Sequence, residues 1–345
     1  FKGGLMSSQH RVAVIGGGSF GTVLADIVAH NGYPVRLWMR DEALAQEIAD
    51  TRINSRYVPG LTLHADLEIV TDLGDCISAA DTVIFSVPSK AFRGILDLVK
   101  DFITPDQNLV TTAKGIEPER FLLMSQVLEV YFPNNPVGVI SGPNLAKEVA
   151  AKQLTGTVIA SDNEALRQTI QDVLQCSFFR VYASNDRYGT ELGGALKNIY
   201  AIAAGLSAAM GMGENTRSML LTRSLAEMSR LAVHMGANPM TFLGLAGVGD
   251  LIVTCMSPLS RNYRVGYALG QGKSLDEAVS ELGEVAEGVN TLALVKAKSD
   301  QLHVHMPLVD GLYALVYEGA EVSSVAQSLM SRDQNSDVEF VLKRS

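Results

Sequence analysis

Short apolar runs alternate with amphipathic segments over the first half of the chain. Residues 11–15 form a β-branched run bounded by glycines, which predicts a buried strand. Residues 20–30 carry apolar side chains at helical spacing and stop at Asn31-Gly32, a helix terminator. The same reading predicts strands over 35–39, 67–70, 82–87, 108–113 and 137–141, with helices over 42–53, 92–102 and 121–130. Pro88, Pro105 and Pro143 punctuate strand ends and loops. Strands over 156–160 and 179–182, with a helix over 164–174 between them, close this half. Apolar strands that alternate with helices predict an α/β doubly wound, mostly parallel sheet with helices on both faces.

From Tyr188 onward strand patterns fade. Helical periodicity takes over at 191–209, 216–235, 275–282, 291–300 and 309–318. The expected division is a domain over 1–190 and an all-α domain over 191–345, with a polar tail after Ser331. Residues 1–5 read as an expression remnant ahead of a natural start at Met6.

Composition narrows the function classes. The chain has 345 residues, 47% hydrophobic and 19% charged, so a full core is available. A net charge of −9 leaves no basic field to collect nucleic acid. Cys76, Cys176 and Cys255 are far apart, with no CxxC spacing, which argues against a disulfide framework or a zinc ribbon. The longest apolar stretch, residues 199–212, is too short to span a bilayer. A cytoplasmic protein is the expectation.

The candidate chemistry begins at Gly16-Gly17-Gly18-Ser19-Phe20-Gly21. This is G-x-G-x-x-G, following a strand and opening a helix, which is the setting that binds a dinucleotide pyrophosphate. Gly16 allows the tight turn, Gly18 lets the backbone approach the phosphates, and Gly21 lets helix and strand pack closely. The helix N-terminus presents oriented N–H groups to the phosphates. About 20 positions on, where an acid would bind a ribose 2′-hydroxyl, stands Arg40. An arginine there favours NADP, or dual use; the alternative is an exposed arginine ahead of a helix. Lys114, in Thr111-Thr112-Ala113-Lys114-Gly115, ends a strand at the sheet's carboxyl edge, either as a cation reaching ligand or as a surface loop lysine.

A second constellation lies in the helical half. Gly193-Gly194-Ala195 precedes Lys197 and Asn198 in an otherwise apolar helix. Small residues in a row cost helix stability, so something must approach that backbone closely. Lys197 reads as a proton donor whose charge burial would disfavour, or as a snorkelling lysine. Asp250 follows Gly244, Gly247 and Gly249 and reads as sitting on a tight turn, a partner for a lysine. Ser260-Arg261-Asn262 suits a phosphate oxygen cluster, and residues 283–288 place acids between glycines. Each also reads as a capped turn. His303 and His305, the only close histidine pair, have no carboxylate or cysteine ligand beside them in sequence, and no metal is expected.

These residues make the chain resemble NAD(P)-dependent glycerol-3-phosphate dehydrogenase of the bacterial type. The resemblance runs from Met6 to about Met330. It is carried by residues 194–198, 112–115, 141–143, 249–251 and 260–262. The resemblance implies a Rossmann-type domain followed by a 6-phosphogluconate dehydrogenase-like helical domain. It implies reduction of dihydroxyacetone phosphate to sn-glycerol 3-phosphate with NADPH or NADH, feeding phospholipid synthesis. It places catalysis at Lys197, Lys114 and Asp250. Substrate binding would fall to Lys114, Gly142, Asn144, Lys197, Asp250, Ser260, Arg261 and Asn262. Cofactor binding would fall to Gly16, Gly18, Ser19, Phe20, Gly21, Arg40, Tyr57, Lys114, Ala146, Arg261, Val285 and Glu287. Asn144 departs from the family, where Ser or Thr often follows Gly-Pro; an asparagine there can still donate a hydrogen bond. The implied partner is a small-molecule substrate, with a homodimer as an admissible assembly. The residues alone also admit a β-hydroxyacid dehydrogenase and a non-enzymatic dinucleotide sensor.

Overall fold

The computed structural model describes residues 9–282 and 286–331. It divides into two compact units, one ending at Arg187 and the other beginning at Tyr188.

In the first unit the strands, in chain order, are β1 (Val12–Ile15), β2 (Val35–Trp38), β3 (Ile53–Asn54), β4 (Val58–Thr62), β5 (Glu68–Val70) and β6 (Thr82–Phe85). They continue with β7 (Asn108–Thr111), β8 (Ile116–Glu117), β9 (Leu122–Leu123), β10 (Val137–Ser141), β11 (Thr155–Ala160) and β12 (Phe179–Ser184). Eight form one sheet in the order β12-β11-β10-β7-β6-β1-β2-β5, parallel except where β10 meets β11. The helices are α1 (Ser19–His30), α2 (Glu42–Thr51), α3 (Leu73–Ile77), α4 (Ser89–Val99), α5 (Met124–Tyr131), α6 (Ala146–Ala150) and α7 (Glu164–Leu174).

Alternation along the strands builds a core on each face. Val12 and Val14 pack with Leu37, Ile84 and Val110 under α1, α2 and α7. Ala13 and Ile15 face the other way, with Val83, Phe85 and Leu109, under α3, α4 and α5. β2 and β6 flank β1 on opposite sides. The order of strands therefore reverses at β1, and a crevice opens outside its carboxyl end, where doubly wound sheets bind ligands.

Two ribbons depart from the expected pattern. α2 stops at Thr51 because Arg52 adopts a left-handed backbone (φ 58°), and β3 and β4 follow as an antiparallel pair. β8 and β9 form the second pair. α4 starts at Ser89, directly after Pro88, three residues before the periodicity suggested.

The second unit is helical. It comprises α8 (Arg187–Ala209), α9 (Glu214–His234), α10 (Asp250–Met256), α11 (Arg261–Gly270), α12 (Leu275–Leu282), α13 (Glu287–Leu302), α14 (Pro307–Tyr317) and α15 (Val322–Met330). α8 is buried from Gly189 to Ser207, so it is the axis around which the others pack. A Cβ on Gly193 would lie 2.9 Å from the Ala246 carbonyl, and one on Gly266 would lie 1.8 Å from that of Ile202. These contacts bring the segment before α10, and α11 itself, against α8 backbone to backbone. Asp250 was expected on a tight turn. Instead a π-helical turn, Leu245–Gly249, runs into α10, and Asp250 is the first residue of that helix. Among the described residues, no helix is long and apolar enough to cross a membrane.

Candidate active site

The glycine turn joins β1 to α1. Gly16 has φ +119°, and a Cβ there would meet the Ser86 carbonyl at 2.4 Å; a Cβ on Gly21 would lie 2.0 Å from the Gly16 carbonyl. Both positions exclude any other residue for reasons internal to the fold. Gly18 differs, because nothing lies within 4 Å of where its Cβ would be. It caps α1 without a side-chain hydrogen bond, and the first turn carries no acid. An open cradle at a helix N-terminus fits a dinucleotide pyrophosphate, which would occupy the space beside Gly18 and take N–H groups of Ser19 and Phe20. Phe20 itself packs on the core.

The β3–β4 ribbon is fastened to this turn. The buried Asn54 amide donates to the Gly17 carbonyl (3.0 Å) and to Thr22 Oγ1 (2.9 Å). Its Oδ1 accepts from the Tyr57 N–H at 3.3 Å, and the Ser19 hydroxyl donates to the Tyr57 carbonyl at 3.1 Å. The Tyr57 backbone is thus tied to the phosphate turn through Ser19 and through Asn54, a residue that sequence reasoning missed. Nothing in its local sequence marks it, since the partners of its amide nitrogen lie 32 to 37 positions away. Arg40 is exposed, just beyond β2. Its neighbour Asp41 is the N-cap of α2, accepting from the Leu44 N–H at 3.0 Å.

Lys114, past the carboxyl end of β7, donates to the Gly142 carbonyl at 3.0 Å, so two predicted substrate positions meet. Asn144 lies two residues beyond Gly142. Its amide nitrogen, expected to serve the substrate, donates to Thr157 Oγ1 at 2.8 Å. Its buried Oδ1 has no hydrogen-bond partner among the described residues, which leaves the carbonyl as the end able to accept from a ligand hydroxyl. Ala146 opens α6.

In the helical unit the buried Lys197 ammonium donates to Asp250 Oδ1 and, at 2.7 Å, to Thr254 Oγ1. The snorkelling alternative is thereby excluded, since the lysine is 6% and Asp250 1% exposed. Thr254, one turn after Asp250 on α10, also donates to the Asp250 backbone carbonyl at 2.6 Å. It was not anticipated, although i to i+4 spacing on a helix puts it on the same face. Cys255 sits beside this pair. Burial pushes its thiol up to about 12, only partly opposed by the Lys197 charge, so it stays protonated and unreactive.

Ser260 is the N-cap of α11, its hydroxyl accepting from the Tyr263 N–H at 3.4 Å. Arg261 is exposed in the first turn. Asn262 is buried, and its Oδ1 accepts from the Gly288 N–H at 2.9 Å. That bond ties α11 to the start of α13, where Glu287 is the first residue. Of the predicted positions, Lys197, Asp250, Asn262 and the α13 terminus are joined through α8, α10 and α11. Val285 lies outside the described residues, as do Gly283 and Glu284.

The chain matches one family along both units. Residues 11–167 match the model of the NAD-dependent glycerol-3-phosphate dehydrogenase N-terminus, and 186–327 match that of its C-terminus. The chain belongs to the NAD-dependent glycerol-3-phosphate dehydrogenase family. It is 56% identical to the NAD(P)+ glycerol-3-phosphate dehydrogenase of Azotobacter vinelandii, over 97% of this chain and 98% of that protein. The Pseudomonas putida F1 enzyme of the same name is equally similar over the same shares. Among solved structures, glycerol-3-phosphate dehydrogenase from Coxiella burnetii superposes with a TM-score of 0.88 at 35% identity, covering 94% of this chain and 99% of its own. A 2-dehydropantoate 2-reductase from Methylococcus capsulatus, 14% identical with a TM-score of 0.59, shares the fold alone. Membership brings an NAD(P) cofactor, which the open Gly18 cradle accommodates.

Proposed function

We propose that this protein interconverts dihydroxyacetone phosphate and sn-glycerol 3-phosphate with NAD(P)H, and so supplies glycerol 3-phosphate for phospholipid synthesis. The observation that carries this reading is a lysine buried in α8 and aimed by Asp250 and Thr254. A reduced nicotinamide, when bound, would supply the hydride for the C2 carbonyl carbon. Lys197 gives a proton from Nζ to the carbonyl oxygen, which becomes the C2 hydroxyl, and is reprotonated from solvent. Asp250 holds the ammonium through a charged hydrogen bond, and Thr254 limits its rotation.

Lys114, which donates to the Gly142 carbonyl, keeps the catalytic and ligand-binding roles that the family resemblance implies. Asn144 Oδ1 is assigned to a substrate hydroxyl. The phosphate is assigned to the start of α11, where Arg261 and the helix N-terminus both attract a dianion and Asn262 fixes the turn against α13. Binding energy from that phosphate helps to orient C2. Arg40 and Tyr57 are assigned to the adenosine end of the cofactor, and Ala146, Val285 and Glu287 keep the cofactor roles that the family resemblance implies. Three free cysteines fit a reducing, cytoplasmic setting. A homodimer is the assembly that the family resemblance admits.

The test is to follow NADPH oxidation with dihydroxyacetone phosphate and with unphosphorylated dihydroxyacetone. The expected result is turnover that depends strongly on the phosphate. Equal turnover of both, or of neither, overturns the reading.

A further inference from the structure

The turn between β3 and β4 carries Tyr57, and Asn54 and Ser19 fasten it to the phosphate turn. Its tip carries Arg56. The Arg56 guanidinium lies 3.5 Å from the Asp41 carboxylate and 5.4 Å from the centre of the Tyr57 ring. Asp41 uses one carboxylate oxygen to cap α2 and turns the other toward Arg56. Both of its oxygens therefore already face a partner within the protein.

Asp41 also follows Arg40 directly, and Arg40 occupies the position that meets the ribose 2′ substituent in this fold. A 2′-phosphate at Arg40 would approach the Asp41 charge. Arg56 offsets that charge and adds a second guanidinium, and the Tyr57 ring lies within cation–π reach of it.

We propose that Arg56, held against Asp41 and Tyr57, is a further determinant of the choice between 2′-phosphorylated and unphosphorylated dinucleotide. The proposal rests on the dinucleotide assignment made above. Arg56 acts by cancelling the Asp41 repulsion toward a 2′-phosphate and by contacting that phosphate. A free 2′-hydroxyl carries no charge and gains nothing from either effect.

Binding of NADP+ and of NAD+ is measured by isothermal titration calorimetry for the wild-type protein, Arg56→Gln and Asp41→Asn. Arg56→Gln should weaken NADP+ about fivefold, the size expected of an exposed charge contact, with NAD+ changed by less than about twofold. Asp41→Asn keeps a good N-cap residue and removes the repelling charge. It should tighten NADP+ by a similar factor and leave NAD+ alone. Equal changes in both dinucleotides, or no change in either, overturn the role of Arg56. Failure of the wild-type protein to bind either dinucleotide overturns the assignment beneath it as well.

Discussion

Replacing Lys197 by Met should abolish turnover and destabilise the helical unit, and adding Asp250→Asn should then restore part of the stability and none of the rate. Lys197 and Asp250 are 53 positions apart in sequence, joined by one charged hydrogen bond in a site where both are almost fully buried. Removing one partner of a buried pair costs about 3–5 kcal/mol, because the other charge stays desolvated. Losing a positioned proton donor costs about 10² to 10⁴ in kcat. Asp250→Asn alone leaves a lysine that is still bonded to Thr254 but has lost the Asp250 charge, and should lower kcat about tenfold or more.

The double variant should turn over no more slowly than Lys197→Met, since Asp250 acts on the reaction only through that lysine. It should also unfold at higher denaturant than Lys197→Met, since the buried Asp250 charge is removed together with its lysine partner. Urea unfolding and steady-state kinetics on the four proteins give both cycles. Calorimetric titration with NADPH checks that Lys197→Met still binds cofactor. Rate losses that multiply, or stability losses that add to their full sum, would show that the two residues act separately and refute the assignment.

Arg261→Ala should raise KM for the phosphorylated substrate by on the order of tenfold or more, as loss of a charge-assisted contact of about 2 kcal/mol requires, and leave unphosphorylated dihydroxyacetone unaffected. Equal effects on both substrates would move the phosphate elsewhere. Glu227 is buried in α9, where it accepts from Tyr200 and from the N–H groups of Leu308 and Val309; burial outweighs these bonds and holds its carboxyl at about 7. With the unfolded value near 4.5, its stabilising contribution is complete below pH 4.5 and falls away as pH rises through 7, by roughly 3 kcal/mol in total. Urea unfolding at pH 5 and pH 8 should show that decline in the wild type and a flatter response in Glu227→Gln; parallel responses would contradict it. Gly266→Ala would put a methyl 1.8 Å from the Ile202 carbonyl and should cost about 3 kcal/mol of stability by parting α11 from α8, read from the thermal midpoint.

The parts of this protein that its sequence determines by itself are those with local causes. Apolar strands between amphipathic helices fixed the doubly wound sheet, because the side-chain period differs between the two elements. The glycine turn was legible because each glycine answers a constraint within a few residues or at the ligand. Lys197 stood out because an apolar helix cannot solvate it. What sits around these features depends on packing between elements distant in the chain. The Gly193 and Gly266 contacts carry Asp250, Thr254 and Asn262 to α8, and only that arrangement shows that Asp250 opens a helix and that Thr254 shares the lysine. Ser260, read as a phosphate ligand, is also the cap of α11. The roles of Asn54 and Arg56 arise from a ribbon that begins directly after the left-handed Arg52, a conformation that no propensity favours at an arginine. A side chain's type is local, but its partner is chosen by the crossing of helices and strands, and that crossing is set by the whole core.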